Sequence, residues 1–93
     1  MVKSAAKIKV TGTVQGIFFK NFTKENAEKL NLKGFVRSLE DGNLEVFAEG
    51  EKESIIKLIT ILKQGPQHSQ IRNIDIEERR WSGDLKDFKI LRI

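Results

Sequence analysis

The stretch Gly12-Thr13-Val14-Gln15-Gly16-Ile17-Phe18-Phe19-Lys20 joins two patterns of different period. Upstream, Ala6, Ile8 and Val10 alternate with Lys7, Lys9 and Thr11, as in a strand with one buried face. Downstream, Phe19, Thr23, Ala27 and Leu30 recur at helical spacing with Phe22 beside them, and Lys24, Glu25, Glu28 and Lys29 fall on the other side. The spacing predicts a helix from about Asn21 to Leu30, preceded by a loop that two glycines bracket. A strand that turns through such backbone into a helix start aims several N–H groups at one point, with the helix dipole behind them. That is anion-binding geometry. The nucleotide P-loop is excluded, because it needs four residues between its glycines and a Gly-Lys-Ser/Thr ending. Here three residues separate Gly12 from Gly16.

Working outward, Leu32 to Leu39 reads as a second strand, and Leu44, Val46 and Ala48 alternate as a third. Asp41-Gly42 between them is a hairpin signal. Ile55, Leu58, Ile59 and Leu62 stand at i, i+3, i+4 and i+7, an amphipathic helix with Ser54 as its expected cap and Gly65-Pro66 as its end. Ile74 and Ile76 alternate with Asp75 and Glu77 in a fourth strand that extends toward Trp81. Ser82-Gly83-Asp84 has turn composition. Phe88, Ile90 and Arg92 alternate with Lys89, Leu91 and Ile93 in a short closing strand. The order β-α-β-β-α-β, with right-handed crossovers, places two helices on one face of an antiparallel sheet. The expected fold is therefore α+β, a ferredoxin-like two-layer sandwich. Residues 1–93 read as one domain with no repeat or linker.

Composition narrows the chemistry. With no cysteine there is no disulfide, thiolate metal site or thiol nucleophile, and one histidine, His68, excludes a multi-histidine zinc site within the chain. His68 itself reads as an exposed loop residue. No apolar run approaches the roughly 18 residues of a membrane span, and Met1-Val2-Lys3-Ser4-Ala5-Ala6 lacks the apolar centre of a secretory signal. A cytoplasmic protein without membrane association is expected. The net charge of +4 is uneven: residues 1–33 carry seven Lys/Arg against two Asp/Glu, residues 34–53 two against six, and residues 54–93 eight against five. The glycine loop lies in the basic third, which suits an anionic ligand.

The residues Gly12-Thr13-Val14-Gln15-Gly16-Ile17-Phe18-Phe19-Lys20 resemble the signature of the acylphosphatases. So does a second block, Gly34-Phe35-Val36-Arg37-Ser38-Leu39-Glu40-Asp41-Gly42-Asn43-Leu44-Glu45-Val46, in family order and at family spacing. The resemblance implies hydrolysis of a carboxylic–phosphoric mixed anhydride with no metal, no cofactor and no covalent intermediate. It makes the backbone of Gln15, Gly16, Ile17, Phe18 and Phe19 a phosphate cradle. Lys20 stands where the family has a phosphate-gripping arginine, and Ser38 where it has a water-holding asparagine. Lysine keeps the charge but loses the planar fork, and serine offers one short hydroxyl in place of an amide. The implied activity is weak acyl phosphate hydrolysis in a monomer.

Two other readings accompany it. A member that kept the cradle and lost turnover would bind phosphate or another oxyanion without hydrolysing it. An RNA-binding domain shares the element order, and Lys33-Gly34-Phe35 begins like its aromatic signature. Val36-Arg37-Ser38-Leu39-Glu40 does not continue that signature, and Glu45 and Glu49 on the third strand disfavour a stacking platform, so nucleic acid is not the expected partner. Phe18, Phe19 and Phe22 read as core and loop packing in preference to a substrate platform. Arg37, next to Ser38 on a strand, is expected to point away from the site. Arg79-Arg80-Trp81 reads as a small basic-aromatic patch or, equally, as an edge strand guarded by charge.

Overall fold

The computed structural model describes residues 2–13, 16–65 and 70–91, and for Thr13, Gly16, Ile17 and Gln70 the backbone alone. Its elements are β1 (Lys3–Thr13), α1 (Gly16–Lys29), β2 (Lys33–Ser38), β3 (Leu44–Glu51), α2 (Lys52–Gln64), β4 (Gln70–Arg79) and β5 (Phe88–Ile90). They form one five-stranded sheet in the order β4-β1-β3-β2-β5. Each helix joins two parallel strands that have a third strand between them: α1 spans β3, and α2 spans β1. This is the ferredoxin-like arrangement that the sequence order predicts.

Alternation decides which side of the sheet each residue serves. Ile8 lies opposite Val46, which lies opposite Val36, so one buried row crosses three strands. Phe19 and Ala27 of α1, and Ile55, Leu58 and Leu62 of α2, close over that row as the core. On the other face Phe35 and Phe47 stack with centroids 5.7 Å apart. Gly34 admits no side chain, because a Cβ there would overlap the carbonyl oxygen of Phe47.

The boundaries depart from expectation at both helix starts. Helix α1 begins at Gly16, not near Asn21, so the glycine that reads as loop is the first helical residue. Its end is a Schellman turn: Asn31 takes φ 62°, its N–H donates to Glu28 O at 3.0 Å, and Leu32 N–H donates to Ala27 O at 2.9 Å. Helix α2 begins at Lys52, so Ser54 lies inside it and is not the cap. Strand β3 runs into this helix without a loop. Glu51 is the N-cap with no side-chain cap bond, and Lys52 N–H donates to Val2 O at 2.8 Å. Gly65, at φ 68°, ends α2 as expected, its N–H on Ile61 O at 3.0 Å. Pro66, His68, Arg92 and Ile93 lie outside the described residues.

The sheet is mixed, which corrects the antiparallel expectation. Four strands pair antiparallel, but β5 pairs parallel with β2, Gly34 facing Phe88 and Val36 facing Ile90. The chain turns back after β4 and crosses to the far edge, so it arrives running the same way as β2. The crossing segment is tied to β3 at Ser82. The Ser82 N–H donates to Glu49 Oε2 at 3.0 Å, and the Ser82 hydroxyl lies 2.9 Å from Glu49 Oε1. That bond explains how Glu49 can be almost fully buried on the side away from the helices.

Candidate active site

The first turn of α1 is the centre of the candidate site. The opening N–H groups of any helix have no carbonyl partner further up the chain and carry the positive end of its dipole. Here the backbone of Gly16, Ile17, Phe18 and Phe19 forms that turn, and no acidic side chain lies in it. Gln15 lies outside the described residues. Burial of Phe19 in the core anchors the turn, and two contacts within α1 brace it. The Phe19 ring is fully buried, and the buried Thr23 hydroxyl donates back to the Phe19 carbonyl at 2.9 Å. Phe22 packs on Phe19 with centroids 6.0 Å apart.

Phe18 corrects the packing expectation, since it is 74% exposed. The periodicity carried this signal. Phe19, Thr23 and Ala27 define the buried stripe, and a residue one step from it is turned about 100° away.

Lys20 follows directly and is half-buried. It lines a cleft of about 560 Å³ together with Arg37, Ser38, Leu39 and Glu40. The cleft lies where β2 ends and the chain turns toward β3. Lys20 and Ser38, 18 positions apart in sequence, therefore meet on one surface. Ser38 has the parity of Gly34 and Val36 and so belongs to the helix side of β2. Arg37 has the opposite parity. Its guanidinium pairs with Glu45 Oε1 at 3.2 Å on the other face, so its charge is directed away from Ser38 even though the residue contributes to the cleft wall. Lys7 approaches the same carboxylate at 3.8 Å. Two cations thus neutralise the nearly buried Glu45.

Sequence reasoning did not single out Leu39 and Glu40 as cleft residues. The signal available was their position between Ser38 and the turn. In that turn Gly42 N–H donates to Leu39 O at 3.0 Å, and Leu39 N–H donates to Asn43 O at 2.8 Å. The Asn43 N–H also bonds the Asp41 carboxylate at 3.1 Å and, with Lys9 at 3.3 Å, holds that carboxyl below its usual range. The turn that carries one wall of the cleft is therefore braced from β1.

A family comparison matches this arrangement over nearly its whole length: the acylphosphatase model covers residues 6–90. The chain belongs to the acylphosphatase family. An acylphosphatase of Rubrobacter xylanophilus is 37% identical over 84 residues, covering 90% of this chain and 76% of that protein. One from Acaryochloris marina is 40% identical over 86 residues, covering 92% and 91%. The crystal structure of acylphosphatase from Bacillus subtilis superposes with a TM-score of 0.90 at 30% identity, covering 96% of this chain and 99% of that one. These family relations support an acylphosphatase-type function acting on small phosphate-containing substrates. Among the described residues, no helix is long and apolar enough to cross a membrane.

Proposed function

We propose that this acylphosphatase-family chain hydrolyses acyl phosphates at the start of α1, and does so slowly. The observation that carries the reading is that Lys20 and Ser38 share one cleft beside a helix start that has no acidic side chain. The phosphate sits on the backbone N–H groups from Gln15 through Phe19, of which those of Gly16 to Phe19 belong to the first turn of α1, where the helix dipole favours negative charge. Lys20 meets one phosphate oxygen as a point charge. The Ser38 hydroxyl holds a water for attack on phosphorus. A bond forms between the water oxygen and phosphorus, the bond from phosphorus to the acyl oxygen breaks, and the carboxylate departs. The water protons pass to the phosphate product and solvent. Because an acyl phosphate already has a good leaving group, positioning and charge stabilisation supply most of the acceleration.

The slowness follows from the two side chains. Arginine grips two oxygens with a rigid fork, and lysine grips one. Serine reaches less far than asparagine and presents one rotating hydroxyl in place of an amide's separate donor and acceptor. Losing a well-aimed transition-state contact costs about 10²–10³ in rate, and substitutions that keep some of the contact cost less. The two losses act on one bound phosphate and need not add. The same reading assigns the chain a small oxyanion ligand, a monomeric state, a cytoplasmic setting and no nucleic-acid partner. Size-exclusion chromatography and a gel shift with single-stranded RNA check the monomer and the absence of an RNA partner.

The deciding experiment is benzoyl phosphate hydrolysis by the purified chain beside the Lys20→Arg, Ser38→Asn double variant. The expected result is slow turnover in the unmodified chain and faster turnover, by up to about 10²-fold, in the double variant. Rescue in the double variant alone would mean an anion cradle without turnover. Inactivity in both would overturn the assignment of the site.

A further inference from the structure

We infer that Phe18 is a specificity-determining residue, a platform for the acyl group of the substrate, and that the preferred substrates are acyl phosphates with aromatic or bulky apolar acyl groups. The inference rests on the acyl phosphate reading of the site and adds to it where the rest of the substrate lies.

Two independent lines meet at Phe18. The first is the stereochemistry of phosphoryl transfer. Attacking and leaving oxygens lie roughly in line across phosphorus. With the water held at Ser38, the acyl oxygen must lie on the opposite side of the phosphate, away from the cleft that Lys20 and Ser38 share. The second is the helical position. Successive residues are about 100° apart, and Phe19 between them is fully buried. Lys20 and Phe18 therefore flank the buried seam of α1 on opposite sides. Lys20 is on the Ser38 side, so Phe18 is on the leaving-group side.

The direction of the side chain agrees. Side chains on a helix lean toward its N-terminus, so a residue in the first turn overhangs the end where the phosphate sits. Phe18 is 74% exposed, more than any other large apolar residue among those described. Scattered apolar residues on a surface require no explanation. An aromatic ring projecting from the first turn of the site helix, on the side that in-line geometry reserves for the acyl group, is placed to be covered by substrate. A phenyl-bearing acyl group removes apolar area of both partners from water, whereas an acetyl group covers little of the ring.

The test compares stable phosphonates that differ only in their apolar group. Benzylphosphonate and methylphosphonate are titrated calorimetrically into the full chain and into Phe18→Ala, Phe18→Leu and Phe18→Tyr. The readout is the ratio of the two dissociation constants within each protein, so a general change in phosphate affinity cancels. The unmodified chain and Phe18→Tyr are expected to prefer benzylphosphonate by about tenfold, Phe18→Leu by less, and Phe18→Ala to bind the two within about twofold. For hydrolysis, the ratio of kcat/KM for benzoyl over acetyl phosphate should fall in the same order. Equal binding of both phosphonates by the unmodified chain would overturn the inference, and so would a preference that survives in Phe18→Ala. Inorganic phosphate is titrated into the unmodified chain as the separate check. If it binds while the ratios fail, the platform alone is wrong. If it does not bind, the anion site fails and the platform with it.

Discussion

The two helices lie on the same face of the same sheet and begin in opposite ways. Helix α2 starts from Glu51 in extended backbone (φ −66°, ψ 136°), carries Glu53 in its first turn, and gives the Lys52 N–H to the Val2 carbonyl at 2.8 Å. Its positive end is answered within the chain. Helix α1 starts at a glycine, has no acid in its first turn, and sets Lys20 immediately after it. That end adds positive charge to positive charge. The bodies of the helices differ in the reverse sense: α2 buries Ile55, Leu58 and Leu62, whereas the buried stripe of α1 is Phe19, Ala27 and the hydroxyl-bearing Thr23. One helix is built around its flank and the other around its end. A helix start with no acidic side chain in its first turn is available to a dissolved anion.

The contrast breaks first where α2 is weakened. Leu58 is fully buried, and Leu58→Ala should lower unfolding free energy by about 2–5 kcal/mol, read from urea denaturation. At temperatures where the variant remains folded its affinity for inorganic phosphate should be unchanged. A large loss of that affinity without unfolding would mean that the helices do not divide their tasks. Next in size is Lys20→Glu, which gives the opening of α1 the acidic character of α2. Its kcat/KM for benzoyl phosphate should fall by about 10²–10³ while its melting temperature moves little; unchanged turnover would remove Lys20 from the site. The smallest effect is the mirror change. Glu53→Lys removes the acid from α2 and should cost about 0.3–1 kcal/mol in stability, less at high salt, with hydrolysis unaltered. A loss of hydrolysis there would show that the α2 terminus also serves the site.

Much of the architecture was legible because burial imposes a period. Ile8 and Val10, Val46 and Ala48, and the Ile55–Leu58–Leu62 stripe all face the core as their spacing requires. The errors came where something other than period decided. Gly16 reads as loop on propensity, yet the first helical turn tolerates it, because the cost of glycine falls on helix interiors. Ser54 has cap chemistry, but the unbroken passage from β3 fixes the α2 start at Lys52. Alternation identified β5 without saying at which edge it would pair, and that choice made the sheet mixed. At the candidate site, motif order singled out Lys20 and Ser38, and the fold lines one cleft with both. Leu39 and Glu40 were missed because a cleft is a property of the folded surface. The exposure of Phe18 was available from the helical pattern and was masked by reading three phenylalanines as one packing cluster.

The position of β1 in the sheet sets the order of events when the chain is made. Translated before every other strand, it is flanked by β3 on one side and β4 on the other, with Ala5 facing Glu49 and Arg79 at once. Neither neighbour exists until much of the chain has been synthesised. Such long-range pairing makes folding slow compared with helical proteins of similar size. During that wait Ala6, Ile8 and Val10 form an apolar strand with both edges open, a form prone to pairing with other chains. Lys3, Lys7 and Lys9, interleaved along the same strand, oppose such pairing by charge repulsion. In the finished fold Lys7 and Lys9 pair with Glu45 and Asp41, so the charges that guard the unfinished strand become part of its registry.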